Sequence, residues 1–230
     1  MPGNRHELGA YSVYPYLKDP QEYVYVRARE FFYAFKNGRS YRPTDMSFED
    51  VVKAIAHASR TCPAFARPAV LVPVPRSGSS RASFDRDACR YPSLALAQRF
   101  ARSLKNLQVH ELIGRSTPVP RASDTPDRVS VNQHRQSLAI AWQPQLASAR
   151  LVLIDDIVTK GTQLIASMLA LRDAGYQGEI EAFCVSQTVA PGPSENQLLP
   201  YLVHRIRWRE GHALASRDDL DQWRQGDLRP

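Results

Sequence analysis

The chain has 230 residues, of which 43% are hydrophobic and 23% charged, and its formal net charge at pH 7 is +7. This composition is typical of a soluble globular protein. No apolar run reaches the ~18 residues of a membrane span, and the first residues lack the apolar segment of a signal peptide. We therefore expect a cytoplasmic protein without membrane contact.

The three cysteines, Cys62, Cys89 and Cys184, are too few and too scattered for a disulfide framework or a Cys-x-x-Cys metal site. We expect them to be buried, reduced thiols. The length permits one large domain or two small ones, and we predict one. It divides into an N-terminal helical part (1–66), a core (67–189) and a C-terminal extension or hood (190–230).

Two helices are predicted in the N-terminal part. Residues 19–20 have the pattern of an N-cap followed by proline at the first helical position, and the apolar stripe behind them closes at residues 37–38. Residues 47–50 resemble a capping box and predict a second helix that runs to about Ser59. Both apolar stripes are typical of helices that pack on a core.

The first core strand is predicted at residues 69–75, an aliphatic run whose end is marked by prolines. The loop after it begins with Arg76, Ser77 and Gly78. Ser and Gly allow close approach of a backbone, while an arginine can grip phosphate oxygens with two hydrogen bonds. On its own such a Ser/Gly-rich loop is a weak signal, because many loops share its composition.

The middle of the chain is strongly basic. Residues 76–135 hold 11 of the 30 Lys/Arg residues but only 5 of the 23 Asp/Glu residues. This basic block favours a polyanion, either a pyrophosphate-bearing small molecule or a nucleic-acid backbone, unless it is simply a solvated face. Within it we predict a helix at 91–104, a short strand at 109–113, and an irregular segment at 114–128 that is either a mobile loop or a linker.

The sequence is most informative between residues 151 and 175. Four consecutive aliphatic residues lead into Asp155 and Asp156, which indicates a strand buried on both faces, as in a parallel sheet. The chain then turns through Gly161 into an apolar helical pattern, and Gly175 stands where a left-handed C-cap belongs. The predicted unit is strand, small-residue loop and helix.

Such a loop presents backbone N–H groups at a helix N-terminus, and these donors favour a phosphate. Two carboxylates beside an anion site are explained if the ligand also carries hydroxyl groups or a divalent cation. A sugar phosphate with Mg²⁺ therefore fits this pattern better than phosphate alone. An ordinary strand, turn and helix with solvated acids is the alternative.

The run Asp155-Asp-Ile-Val-Thr-Lys-Gly-Thr-Gln163 resembles the phosphoribosyl pyrophosphate (PRPP) loop of type I phosphoribosyltransferases. The resemblance implies an α/β fold with a doubly wound, mainly parallel sheet, N-terminal helices and a C-terminal extension. It also implies that Asp155 and Asp156 hold the ribose hydroxyls as catalytic residues. Lys160 and Gln163 depart from the commonest pattern. The implied 5′-phosphate site comprises Thr159, Lys160, Gly161, Thr162 and Gln163.

The same resemblance assigns pyrophosphate to Arg76, Ser77 and Gly78, since this family binds pyrophosphate in a loop after the first core strand. Mg²⁺ is expected through PRPP and water near the acid pair, with no direct protein ligand. A flexible loop of the family closes over the active site where residues 114–128 stand.

A closer similarity links residues 68–188 to the competence protein F family of phosphoribosyltransferase-like proteins. It is carried by the end of the first core strand, by Arg81 and Arg86, by the apolar run that begins at Leu94, and by residues 133–138, Gln-His-Arg-Gln-Ser-Leu. Beyond the acid strand we expect a strand at 179–189, an edge strand or short helix at 198–208, and an acidic helical turn at 218–223.

The function implied is transfer of the phosphoribosyl group of PRPP to an unidentified nucleobase or other nitrogen acceptor, with release of pyrophosphate. The alternative is a non-catalytic PRPP- or nucleotide-sensing regulator, or a nucleic-acid-binding protein that uses the basic block, on the same fold. The sequence does not fix the oligomeric state, and a homodimer is one of the options.

Overall fold

The computed structural model describes residues 6–17, 23–76, 91–120, 129–141, 143–189, 202–209 and 212–216. Several predicted features lie outside these segments: the N-cap at 19–20, Ser77, Gly78, Cys89, residues 121–128 and the turn at 218–223. Within the described segments, no helix combines the length and apolar character needed to cross a membrane.

The chain forms nine strands and five α-helices within the described residues. The helices are α1 (Tyr23–Lys36), α2 (Phe48–Ser59), α3 (Pro92–Ser103), α4 (Val131–Gln136) and α5 (Thr162–Asp173). The strands of the main sheet are β1 (His6–Leu17), β2 (Ala69–Pro73), β3 (Leu107–Val109), β6 (Leu151–Val158), β7 (Ile180–Val189), β8 (Leu202–Arg209) and β9 (His212–Ser216). A separate antiparallel pair consists of β4 (Ile113–Arg115) and β5 (Leu138–Ile140).

The main sheet is mixed, with the strand order β3-β2-β6-β7-β1-β8-β9. Its first five strands in this order are parallel to one another, and β8 and β9 continue the sheet in antiparallel pairing. The protein therefore has the predicted α/β architecture with a mainly parallel sheet.

Helices cover both faces of the sheet, which explains why its central strands read as continuous apolar runs. Alternate residues of β6 enter two different cores: Val152 and Ile154 pack with α1, α2 and α3, whereas Leu151 and Leu153 pack with α4 and α5. All four side chains are fully buried. This two-sided burial confirms the predicted buried strand.

Local signals in the sequence set several element ends. The Ser47 hydroxyl accepts a hydrogen bond from the Asp50 N–H and the Asp50 carboxylate accepts from the Ser47 N–H, so α2 begins with the predicted capping box. Gly38 and Gly175 follow α1 and α5 with φ of 61° and 100°, in the left-handed region that favours glycine. Cys62 and Cys184 are buried free thiols, as predicted.

The structure corrects three sequence predictions. The strand predicted at 109–113 is two short strands, because β3 pairs with β2 whereas β4 turns away and pairs with β5. The N-terminal part, predicted as helical, begins with β1, which lies between β7 and β8. The extension supplies β8, which is not an edge strand because β9 pairs with its outer side.

Candidate functional site

The sheet changes its direction of winding between β2 and β6, which are direct neighbours. From β2 the chain passes through α3 to β3 on one side, and from β6 it passes through α5 to β7 on the other. In open α/β sheets, ligands bind in the crevice that such a reversal leaves outside the carboxyl ends of the strands. The acid pair and Arg76 both belong to segments at this edge.

Asp155 and Asp156 lie in the second half of β6 and are partly buried. Each carboxylate accepts a hydrogen bond from the next backbone N–H, at 2.8 Å for Asp155 Oδ1 and 2.6 Å for Asp156 Oδ1. Burial, followed by the neighbouring Asp156 charge, raises the pKa of Asp155 well above its ordinary value. Burial and the nearby Asp156 thus disfavour ionisation of Asp155, and hydroxyl donors or a cation would favour its charged form.

The loop after β6 leads into α5 through Gly161, which is the N-cap residue with φ 75° and ψ 13°. The Ile165 N–H donates to the Gly161 carbonyl at 2.9 Å, so the first helical turn is closed. Thr159 and Lys160 are exposed, while Thr162 and Gln163 are half-buried. The loop predicted for the 5′-phosphate thus lies at the N-terminus of a 12-residue helix, which favours anions.

The segment that leaves β2 lies directly against this loop. The Gln163 Nε2 donates a hydrogen bond of 2.5 Å to the Pro75 carbonyl. Arg76, the only predicted pyrophosphate residue within the described segments, follows Pro75 and is half-buried. The structure therefore brings the end of the predicted 5′-phosphate segment 159–163 against the start of the predicted pyrophosphate loop.

A buried arginine that the sequence analysis missed supports the same segment. Arg115, at the end of β4, is 1% exposed. Its hydrogen bonds run from Nε to the Arg76 carbonyl (2.7 Å), from Nη1 to Ser137 Oγ (2.5 Å) and from Nη2 to His134 Nδ1 (3.3 Å). All three acceptors are uncharged, which is unusual for a buried guanidinium.

Burial lowers the pKa of Arg115 to about 10, against the opposing pull of Asp155 and Tyr91. Burial and the Arg115 charge lower the pKa of His134 to about 4. At neutral pH the guanidinium is therefore charged and the imidazole neutral, so that Nδ1 can accept the hydrogen bond. Arg115 places a positive charge within electrostatic range of Asp155.

Tyr91 completes the polar surroundings of the β2 exit. Its hydroxyl donates to the Pro73 carbonyl at 3.0 Å. Burial, then the charges of Glu111 and Asp155, raise the pKa of this phenol, so it remains a neutral donor.

Sequence reasoning found the acid pair and its loop but not Arg115 or Tyr91. An arginine in a three-residue strand and an aromatic residue before a helix have no signature of their own. The sequence did contain a signal for the partners of Arg115, since His134 and Ser137 belong to the run 133–138 that resembles the competence protein F family. That run starts at the capping box of α4 and supplies two acceptors to Arg115.

Among the described residues, no group of three or more His, Cys, Asp or Glu side chains is arranged to hold a metal ion. Mg²⁺ usually keeps several waters and binds through one or two carboxylates together with substrate phosphates. The adjacent carboxylates of Asp155 and Asp156 fit this mode, with the ion held mainly by its ligand.

A scan of the chain against protein-family models and a search of curated protein sequences find no match.

Proposed function

We propose that this protein is a type I phosphoribosyltransferase, which transfers the phosphoribosyl group of PRPP to a nitrogen nucleophile and releases pyrophosphate. The observation that carries the proposal is the hydrogen bond from Gln163 to Pro75. The two segments whose sequences suit the two ends of PRPP lie on adjacent parallel strands and touch at the point where the sheet reverses its winding.

In this proposal each segment binds one part of the ligand. The Asp155 and Asp156 carboxylates accept hydrogen bonds from the ribose hydroxyls. The loop 159–163, at the N-terminus of α5, binds the 5′-phosphate through backbone N–H groups and the helix dipole. Arg76, together with Ser77 and Gly78, binds the pyrophosphate end. Arg115, which donates a hydrogen bond to the Arg76 carbonyl, offsets part of the negative charge of the acid pair.

The transfer breaks the bond between ribose C1 and the pyrophosphate oxygen, and the bonding electrons leave with pyrophosphate. The lone pair of the acceptor nitrogen forms the new bond to C1, and its proton passes to solvent. Mg²⁺, when bound, would offset the negative charge of the departing pyrophosphate. The chain's own contribution is to fix the geometry and to place Asp155 and Asp156 beside the positive charge that develops on the ribose.

Binding is tested by the change in thermal unfolding temperature that PRPP with Mg²⁺ produces. The wild-type chain should be stabilised, and the double variant Asp155→Asn, Asp156→Asn should show no stabilisation at the same ligand concentration. A hydrogen bond to a charged group contributes about 1.5–3 kcal/mol. Each lost carboxylate should therefore weaken binding by a factor of about 10 or more.

Asp173→Asn is the matched control, because Asp173 ends the same α5 helix at its far end and pairs there with Arg135. It should leave the ligand-induced stabilisation intact. Turnover is then measured as pyrophosphate release across a panel of nucleobases and amines. Equal stabilisation of the wild-type chain and the double Asn variant would refute the site, and binding without release would favour a PRPP sensor.

A further inference from the structure

Residues 73–76, the segment that leaves β2, are held by side chains rather than by a strand ladder alone. The Val74 N–H continues the pairing with β6 by donating to the Ile154 carbonyl at 2.9 Å. Three carbonyls of the segment accept side-chain hydrogen bonds: Pro73 from Tyr91, Pro75 from Gln163 and Arg76 from Arg115. Side-chain donors thus satisfy carbonyls at the point where the strand ends.

Gln163 differs from the other two donors because it is the second residue of α5 and belongs to the predicted 5′-phosphate segment 159–163. Pro75 is buried and Gln163 half-buried, so their 2.5 Å hydrogen bond is partly shielded from water. Tyr91 and Arg115 approach from α3 and β4. Gln163 therefore joins the 5′-phosphate side of the site directly to the pyrophosphate side.

We propose that Gln163 is a positioning residue that couples the two halves of the ligand site. Binding of a sugar phosphate at α5 then positions the pyrophosphate segment for its ligand, and binding of pyrophosphate likewise positions the sugar-phosphate segment. This inference rests on the proposed function. When one ligand orders both segments through the shared hydrogen bond, the second ligand binds to an arrangement that is already formed.

The length of the glutamine side chain suits this role. A Thr or Ser hydroxyl, which is usual at this position in the resembled loop, ends two bonds closer to the backbone than the Gln amide nitrogen. It could not reach the Pro75 carbonyl without movement of one segment. The departure of Gln163 from the commonest loop pattern thus has a structural consequence in this chain.

The test measures two ligands by calorimetry, ribose 5-phosphate and pyrophosphate with Mg²⁺, each alone and with the other present. The coupling factor is the affinity for pyrophosphate in the presence of ribose 5-phosphate divided by the affinity in its absence. Gln163→Ala and Gln163→Thr should reduce this factor about fivefold or more, the lower range of allosteric couplings. The affinity of each ligand alone is measured for every variant, so that a direct loss of phosphate contact is separated from a loss of coupling.

Gln145→Ala is the matched control, because Gln145 is exposed and its hydrogen bond among the described residues runs to the nearby Gln143. Its coupling factor should equal that of the wild-type chain. Hydrogen exchange in the ligand-free protein gives a second measurement. The Val74 amide should exchange faster in Gln163→Ala than in either the wild-type chain or the control.

Three results separate the possibilities. A lower coupling factor with faster Val74 exchange supports the coupling role. A wild-type chain that binds both ligands, with variants of unchanged coupling factor, overturns the inference while the proposed function stands. A wild-type chain that binds neither ligand overturns the proposed function and the coupling together.

Discussion

The Arg115–His134 pair shows how one buried contact makes stability depend on pH. His134 is 7% exposed and accepts a hydrogen bond from a guanidinium, an arrangement that only the neutral imidazole permits. Its pKa of about 4 in the folded protein lies below the ordinary value of 6.5. The unfolded chain therefore binds a proton more readily than the folded chain between these two pH values.

We predict that the free energy of unfolding falls as the pH is lowered from 6.5 to 4, by about 2 kcal/mol from His134 alone. His134→Gln keeps an acceptor for Arg115 but cannot titrate, so its stability should fall less over this range. Urea unfolding at several pH values measures the difference. Parallel pH profiles for the two proteins would contradict a depressed His134 pKa.

Asp155 changes the pH dependence of stability in the opposite direction, so the wild-type chain must be compared with His134→Gln. Its pKa is raised in the folded protein, so the folded chain binds the proton more readily than the unfolded chain. Its contribution to stability is present at low pH and is lost as the pH rises through the folded pKa. The profile of the wild-type chain alone would therefore mix two effects of opposite sign.

At the scale of elements, the predictions that succeeded rest on local patterns. The aliphatic run and acids of β6, the glycines after α1 and α5, and the capping box of α2 are each specified within a few neighbouring residues. The pairing of short strands is not specified locally. Residues 107–115 could form one strand by composition, and only the partner strands β2 and β5 divide them.

β1 was missed for a further reason, because Pro15 argues against an internal strand. The structure places Pro15 beyond the part of β1 that pairs with β8, since that register ends at Ser12. Among the described residues, β7 is the one strand that pairs with β1 at Pro15, where Gln187 lies opposite. Sequence alone cannot reveal that the pairing of a strand differs between its two ends in this way.

The role of β1 in the core is tested with two adjacent residues. Leu8 is fully buried on the α5 side of the sheet, whereas Gly9 is exposed and has open space where a Cβ would stand. Leu8→Ala should lower the free energy of unfolding by about 2–5 kcal/mol because it leaves a cavity. Gly9→Ala should change it by less than about 1 kcal/mol. Denaturant titration distinguishes these outcomes, and equal stability of the two variants would mean that β1 does not pack as described.

At the scale of the whole molecule, the candidate site depends on elements far apart in the chain. The acid pair and its loop were predictable because strand, acids, turn and helix are contiguous. The support from Tyr91, Arg115 and Gln163 was not, because each of these side chains contacts a carbonyl 18 to 88 positions away. Such contacts depend on the order of strands in the sheet, which no local sequence pattern specifies.

The net charge bears on the alternative of nucleic-acid binding. Two arginines of the basic block 76–135 already have partners in the protein, since Arg115 is buried among uncharged acceptors and Arg135 forms a surface ion pair of 2.5 Å with Asp173. Arg102 and Lys105, at the end of α3 and just after it, are exposed. The described part of the block therefore presents a small cationic surface rather than a continuous track for a phosphate backbone.

We accordingly predict weak binding of duplex DNA, with a log–log salt dependence much shallower than the slope of about −10 that eleven neutralised phosphates would give. A slope of about −3 or shallower corresponds to the few phosphate contacts that a small cationic surface allows. Fluorescence anisotropy of a labelled duplex between low and moderate salt measures the slope. Arg102→Glu, Lys105→Glu should reduce the residual binding, whereas PRPP should displace little DNA beyond its effect on ionic strength. A steep slope that persists in Arg76→Ala, in a protein that releases no pyrophosphate, would instead make the chain a nucleic-acid-binding relative of the transferases.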